Sequence, residues 1–420
     1  MTPLNPTDQR PALSHLRAET QATIDRIARS TLNAFTSVLN EPPGLTDTAE
    51  ALTRAPLKGL PIAVKEVIDV AGSPCGYGCP AFKDRIPMKN AEIVDQLIGL
   101  GAQVIGITRS TEMAIAKPTI TLNPWSSEHS PGGSSSGSAA AVGAGLVPFA
   151  LGTQTIGSVI RPAAYCGAVG FKPTHGIGSL EGVLSLSPTL DHLGFFADTL
   201  ERMTEVFHLL MSEHRPKPSS SLRWVFVDPW FQDQGLEPFF RLREQLRQSC
   251  KGTGIDSADI ALPAPVTGEE AAITDTLLCA EMFRTWGDSL LGHPGTSDLL
   301  QGFLRRGKSI TDASYQRSLA RRHTLIDHLE NLLEDGDIIV FPSVMGPPPR
   351  LAQGTGSRDP QRLWTLLGMP ALNLPVGQSG GFPINLQLIA RRGADRHLLE
   401  SAAIVRQQLI QSLSQDAPPR

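Results

Sequence analysis

The sequence predicts a large α/β domain. Short β-branched runs bounded by Gly and Pro alternate with amphipathic segments of helical period, and this alternation persists along the whole chain. The chain has 420 residues, 40% hydrophobic and 19% charged, which is ordinary globular composition with length enough for a sizeable core. Formal net charge is −4 with no long block of one sign, so nothing points to a nucleic-acid surface. Five cysteines scattered along the chain fit a reducing compartment better than a disulfide framework. The opening MTPLNPTDQRPALSHLRAET lacks the apolar core of a signal peptide. No window approaches the roughly eighteen uninterrupted apolar residues of a membrane span. A cytoplasmic location is the expectation.

In chain order, Pro11 to Leu39 carries Leu13, Leu16, Ile24, Ile27, Ala28, Leu32 and Phe35 at helical spacing and predicts one surface-packed helix, or two. GLPIAVKEVIDVAG (Gly59 to Gly72) predicts a buried strand, with Lys65 on the face of Ala63, Val67 and Asp69 and Glu66 opposite. AEIVDQLIGLGAQVIGITR predicts a helix, a glycine turn and a strand, a crossover unit. GVLSLSPTLDHLGFFADTLERMTEVFHLLM reads as a loop with short extended pieces and then a helix, and SEHRPKPSSS (Ser212 to Ser221) as a linker-like break. LRWVFVD and DIIVFPSV predict strands, and WTLLGMPALNLPVG and PINLQLIARRG two more. Between them, EEAAITDTLLCAEMFRTWGDSLL and SYQRSLARRHTLIDHLENLLEDG predict helices, the second ended by glycine. ADRHLLESAAIVRQQLIQSL closes as a helix, and DAPPR is expected to fray.

The stretch from Ser130 to Gly176 organises the rest. Its Gly/Ser run has a linker's composition, yet apolar segments flank it on both sides, so it belongs inside a domain where glycine serves unusual backbone geometry. Several other motifs are decoys. GFLRRGKS (Gly302 to Ser309) matches a phosphate loop literally, but helix-like residues precede it, and it reads as a helix-to-helix connection. Ser158 sits in IGSVI, which lacks the Gly-x-Ser-x-Gly elbow. His129, His175 and His192 lie among polar or turn residues, where histidine serves as a structural hydrogen-bonder or is simply exposed. Cys75 and Cys79 have no second pair at zinc spacing, and Cys166 reads as a core strand position.

PGGSSSGSAAAVGAGLVPFALGTQTIGSVIRPAAYCGAVGFKPTHG resembles the signature of the amidase signature family of serine hydrolases, and GLPIAVKEVIDVAG resembles that family's upstream lysine segment. Weaker similarity runs through NPWSSEHS, SPTLDHLGFFADT, RRGKSITDASYQRSLARR and GMPALNLPVGQSGGFPINLQLIARRGADRHLLE. The resemblance implies one domain over residues 1–420, with a signature core at about 59–200 and a variable excursion at about 212–335. It implies a mixed central β-sheet covered by helices on both faces, and amide hydrolysis through an acyl-enzyme. By the same resemblance the nucleophile falls on Ser158, the bridging serine on Ser134 after a cis peptide, and the lysine on Lys65. The backbone of Thr155, Ile156 and Gly157, with Ser158, falls on the oxyanion hole.

A serine hydroxyl needs a base to remove its proton, and lysine serves only when neutral. An ordinary lysine pKa near 10.4 must fall by roughly 3 units, about 4 kcal/mol, which desolvation on an apolar strand partly supplies. The plain alternative for Lys65 is an ion pair with Asp69 or an exposed edge position. Ser135 and Ser136 read as caps of the following helix. Three residues depart from the family's commonest form: Gln154 stands for an aspartate, Ile156 for a glycine, and Arg161 falls one place late. In the family the aspartate and arginine pair, so this turn must be braced differently. Ile156 does not readily take positive φ.

Neither composition nor motif names the amide. Tyr77, Met113, Trp125, Trp286 and Trp364 are equally explicable as core residues, and the lack of a charged cluster hints at a small, uncharged substrate. The expected partner is a small-molecule amide, with no cofactor, metal, nucleic acid or membrane, and a homodimer is left open. Alternatives are the glutaminase subunit of an amidotransferase and a non-catalytic binding homologue.

Overall fold

The β-branched runs pair edge to edge into one mixed sheet. The computed structural model describes residues 13–40, 54–115, 117–211, 221–231, 234–251 and 253–415. Its strands are β1 (Phe35–Val38), β2 (Pro61–Lys65), β3 (Gln103–Thr108), β4 (Phe149–Gln154), β5 (Val169–Lys172) and β6 (His192–Ala197), then β7 (Arg223–Phe226), β8 (Asp256–Asp259), β9 (Asp337–Phe341), β10 (Ala371–Ser379) and β11 (Phe382–Ala390). Among the described residues they form an 11-stranded sheet in the order β1-β3-β2-β4-β6-β5-β10-β11-β9-β7-β8. β2 lies parallel between β3 and β4, and β9, β7 and β8 are parallel. The remaining pairings are antiparallel.

The helices are α1 (Leu13–Ala28), α2 (Glu92–Gly99), α3 (Ser136–Gly143), α4 (Ile160–Cys166), α5 (Leu200–Leu210) and α6 (Glu237–Cys250), followed by α7 (Ala264–Thr267), α8 (Glu270–Leu290), α9 (Asp298–Ser309), α10 (Asp312–Leu332), α11 (Asp359–Leu366) and α12 (Asp395–Gln415). Strand alternation divides the core into two. Ile62, Val64, Phe149, Leu151 and Phe195 join the larger cluster with α5, α6, α8 and α12. Ala63, Ile105, Ala150 and Phe196 join the smaller one with α1, α3 and α4. Helices therefore cover both faces, as the resemblance implied. On the small-residue face α3 itself is Ser, Gly, Ala and Val, which lets its backbone approach the sheet closely.

Several local readings need correction. Helical period over Pro11 to Leu39 ends at Ala28, and Phe35–Val38 instead forms the edge strand β1 against β3, where tertiary pairing outweighs local pattern. Cys166 is not a strand residue: it ends α4, and Gly167 at φ +77 supplies the left-handed stop before β5. GFLRRGKS lies within α9, so it is no connection between helices. The Trp364 segment is helical in α11, which Pro360 initiates, and the strand begins only at Ala371. Most of the linker-like segment Ser212 to Ser221, together with DAPPR, lies outside the described residues. No described helix is long and apolar enough to cross a membrane.

Gly137 inside α3 shows how tight this face is. A Cβ there meets the Ala34 carbonyl oxygen well inside contact distance and Arg109 N at 2.5 Å, and both are backbone atoms that cannot swing aside. Helix propensity alone favours alanine by about 1 kcal/mol, but overpacking against backbone costs about 1–3 kcal/mol. Gly137→Ala is therefore expected to lower stability, read as a reduced urea midpoint at unchanged m.

Candidate active site

Lys65 ends β2 on the small-residue face, where alternation places it beside α3 and the loop before it. Its side chain is wholly buried, and Nζ donates to Ser134 Oγ at 2.8 Å and to Thr153 Oγ1 at 2.9 Å. Burial pushes its pKa down to about 7, and only Glu66 and Asp191 act at a distance to raise it. The ion pair with Asp69 does not form. Asp69 is held by Arg85 in a two-pronged bridge at 2.6 Å on each oxygen. Glu66 accepts from Ser110 N at 2.6 Å, and Asp191 accepts from Thr155 Oγ1 at 2.7 Å and from the N–H groups of Leu186 and Ser187. Each neighbouring carboxylate is thus occupied elsewhere.

Ser134 follows a cis Gly133–Ser134 peptide. The next two serines do not cap α3 as expected. Ser135 occupies the cap position but donates to Thr153 O at 3.3 Å, and Ser136 donates to Gly132 O at 2.7 Å. Both hydroxyls brace the loop: Ser135 ties it to β4 and Ser136 ties it back to its own carbonyl four residues earlier.

Ser158 lies on the turn between β4 and α4, 8% exposed, and shares a cleft of about 450 Å³ with Ser134, Thr155 and Ile156. Among the described residues no hydrogen bond joins Ser158 Oγ to Ser134 Oγ, so the structure closes the Lys65–Ser134 contact and leaves the Ser134–Ser158 one open. No acceptor within the described chain takes the N–H groups of Ile156 and Gly157. A Cβ at Gly157 would meet Gln361 Oε1 at 2.5 Å, so the Gln361 side chain packs directly over this part of the turn. Ile156 keeps negative φ.

The turn is braced by residues that depart from the family's form. Gln154 Oε1 accepts from Val159 N (2.8 Å) and Ile160 N (3.1 Å), while its Nε2 donates to Thr365 Oγ1 at 2.9 Å. Thr365 in turn donates to Ile156 O at 2.6 Å. Among the described residues Arg161 pairs with no carboxylate: it donates to Gly133 O at 2.6 Å and Gly356 O at 2.5 Å.

His129, His175 and His192 stay out of the cleft; His175 faces Pro188 O at 3.0 Å and His192 faces Leu190 O at 2.6 Å. Tyr77 and Trp286 stack edge-on at 6.3 Å and Trp364 is core. The cleft wall is instead Ile115, Leu299 and Phe303 with Arg161 and Arg358. That pair of arginines corrects the picture of an uncharged site, because residues far apart in sequence form a basic cluster only on folding. Thr153, Thr365 and Arg358 carried no local signal.

The family model described as Amidase matches residues 18–238 and 261–399. The chain belongs to the amidase family. It is an amidohydrolase by that membership, with the family's mixed α/β fold. Amidase 1 of Arabidopsis thaliana is 28% identical, with 84% of this chain and 94% of that one covered. One of the subunits of glutamyl-tRNA(Gln) amidotransferase from Methanosarcina barkeri is 27% identical, covering 90% and 91%. A solved amidase structure is 27% identical and superposes with a TM-score of 0.81 over 96% of each chain.

Gln154→Leu strips the acceptor from two buried N–H groups at the start of α4. The expected loss is about 1–3 kcal/mol of stability, measured by chemical denaturation, with turnover falling as the turn loosens.

Proposed function

We propose that the chain hydrolyses a small, linear, non-peptide amide in the cytoplasm, with Ser158 as nucleophile, Ser134 as proton relay and Lys65 as base. The observation that carries this reading is the buried Lys65 amine, without an ion pair among the described residues and in contact with Ser134 at the cleft that holds Ser158. With a pKa of about 7 instead of 10.5, much of the amine is neutral at physiological pH. That change corresponds to about 5 kcal/mol in favour of the neutral form.

The neutral amine accepts the Ser134 proton while Ser134 Oγ accepts that of Ser158. Ser158 Oγ then bonds to the amide carbon, and the oxyanion takes hydrogen bonds from the N–H groups of Thr155, Ile156 and Gly157. The lysine ammonium returns its proton through Ser134 to the leaving nitrogen, the C–N bond breaks, and an acyl-Ser158 ester remains. Water, deprotonated along the same relay, cleaves the ester and releases the acid. Each oxyanion-hole donor contributes about 2.7–4 kcal/mol.

A second reading, the glutaminase subunit of an amidotransferase, is favoured by the relatives that carry an amidotransferase name. Ammonia release from simple amides by the chain alone separates the two: release supports the free-standing enzyme, and dependence on a partner supports the other.

Ser158→Ala is expected to abolish amide turnover and fluorophosphonate labelling while shifting stability by less than about 1 kcal/mol. Retained turnover removes the nucleophile. Because the active amine is the uncharged one, kcat/KM is expected to fall as pH drops through about 7 and to level off above it. A flat profile across that range removes Lys65 as the base.

A further inference from the structure

Thr365 of α11 is 1% exposed and is not among the residues that line the cleft, yet its side chain reaches the turn that carries Ser158. Its hydroxyl has one proton and two neighbours: the Ile156 carbonyl oxygen at 2.6 Å and the Gln154 side-chain amide at 2.9 Å. A carbonyl oxygen only accepts, so the proton must go to Ile156 and the amide must present its donor end. Gln154 does so because its Oε1 is already held by Val159 N at 2.8 Å and Ile160 N at 3.1 Å, which leaves Nε2 toward Thr365. The direction of every hydrogen bond in this short chain is thereby set.

The Ile156–Gly157 peptide is trans. A trans peptide is planar, and its carbonyl and N–H point to opposite sides. Holding Ile156 O toward α11 therefore holds Gly157 N–H away from that helix. This N–H meets no acceptor within the described chain, and Ile156 itself lines the cleft. Gln361, one helical turn before Thr365, limits rotation of the same peptide from the α11 side, since its Oε1 lies 2.5 Å from where a Gly157 Cβ would be. Gln361 is in turn tied by its Nε2 to Ser343 O. A carboxylate at position 154 would reverse the arrangement. It only accepts, so it would draw the Thr365 proton to itself and leave the Ile156 carbonyl without its donor.

We infer that Thr365 is a positioning residue for the oxyanion hole, and that the amide nitrogen of Gln154 turns the Thr365 proton toward Ile156 O, so that the two residues together aim Gly157 N–H at the developing oxyanion. This inference rests on the hydrolase reading of the same cleft.

The test reads two rates on the full-length chain: labelling of Ser158 by a fluorophosphonate, and ammonia release from butyramide. Both are taken on the alkaline plateau of the pH profile, so that a shift in the Lys65 titration does not enter. Thr365→Val keeps the shape and removes the hydroxyl. It is expected to lower the labelling rate and kcat about tenfold to hundredfold with KM within about twofold, less than the roughly 10²–10³ that follows outright loss of an oxyanion donor. Thr365→Ser, which keeps the hydroxyl, is expected to recover most of that loss. Gln154→Glu keeps the acceptor for α4 and removes the donor. It is expected to lower kcat by a similar factor alone, but by less than about threefold in the Thr365→Val background, because both changes free the same carbonyl. A merely structural role makes the rate follow the folded fraction and the two losses multiply. Should Thr365→Val fail to fold, Thr365→Ala carries the same expectations. With the wild type labelled, a variant rate within about twofold of it, or losses that multiply across the cycle, overturns this inference and leaves the hydrolase standing. A wild type that is neither labelled nor releases ammonia overturns the hydrolase reading and this inference with it.

Discussion

The structure depends on keeping one amine dry and unpaired. A buried lysine normally finds a carboxylate, since an uncompensated internal charge costs far more than surface pairing returns. Around Lys65 every candidate carboxylate is committed to another partner. Asp69 goes to Arg85, Glu66 to Ser110 N, and Asp191 to Thr155 and two backbone N–H groups. The amine is left with two hydroxyls, Ser134 and Thr153. Hydroxyls satisfy its hydrogen bonds without restoring the charged form, and the pKa falls accordingly. The small-residue face serves the same end. Ala63, Ala150 and the alanines of α3 let backbone close over the strand end and exclude water.

The turn carrying Ser158 shows how a substitution at one position is absorbed by others. A carboxylate at position 154 supplies charge as well as acceptors, and an arginine nearby balances it. Gln154 supplies the acceptor alone: its oxygen holds the first N–H groups of α4, and its nitrogen reaches Thr365, which fixes the Ile156 carbonyl. The arginine, with no carboxylate partner among the described residues, ties the Gly133 carbonyl to Gly356. The geometry is kept while the charge balance changes. Positive charge that a pair would have cancelled stays at the cleft wall, which Arg358 also lines.

What the sequence made legible follows from distance along the chain. Lys65, Ser134 and Ser158 stood out through the resemblance of their two runs to a family signature, whereas composition alone left a linker-like serine run and an ion-paired lysine as readings. The strands of the sheet were legible as β-branched segments between Gly and Pro. The errors fell where tertiary contact outweighs local pattern. Ser135 and Ser136 look like caps, yet their hydroxyls go to the carbonyls of Thr153 on β4 and Gly132 in the loop. Cys166 sits among residues that suit a strand or a helix equally, and Gly167 decides. Thr153 stands 88 positions from Lys65 and Thr365 stands 211 from Gln154, so neither contact leaves a trace in sequence spacing. The basic wall is the same case, being assembled from residues that share no motif.

In the mechanism proposed above, the two halves of the relay differ in how finished they are, and the difference has a physical reason. The Lys65–Ser134 contact lies inside the protein, where desolvation must be permanent for the amine to stay neutral; it is closed at 2.8 Å. Ser158 faces the cleft and has no hydrogen bond to Ser134 Oγ among the described residues. A nucleophile locked onto its relay gains little before substrate arrives, whereas the carbonyl to be attacked and the N–H groups of the turn together fix where Ser158 Oγ must point. On this view the base is prepared by the fold and the nucleophile is aligned by the substrate.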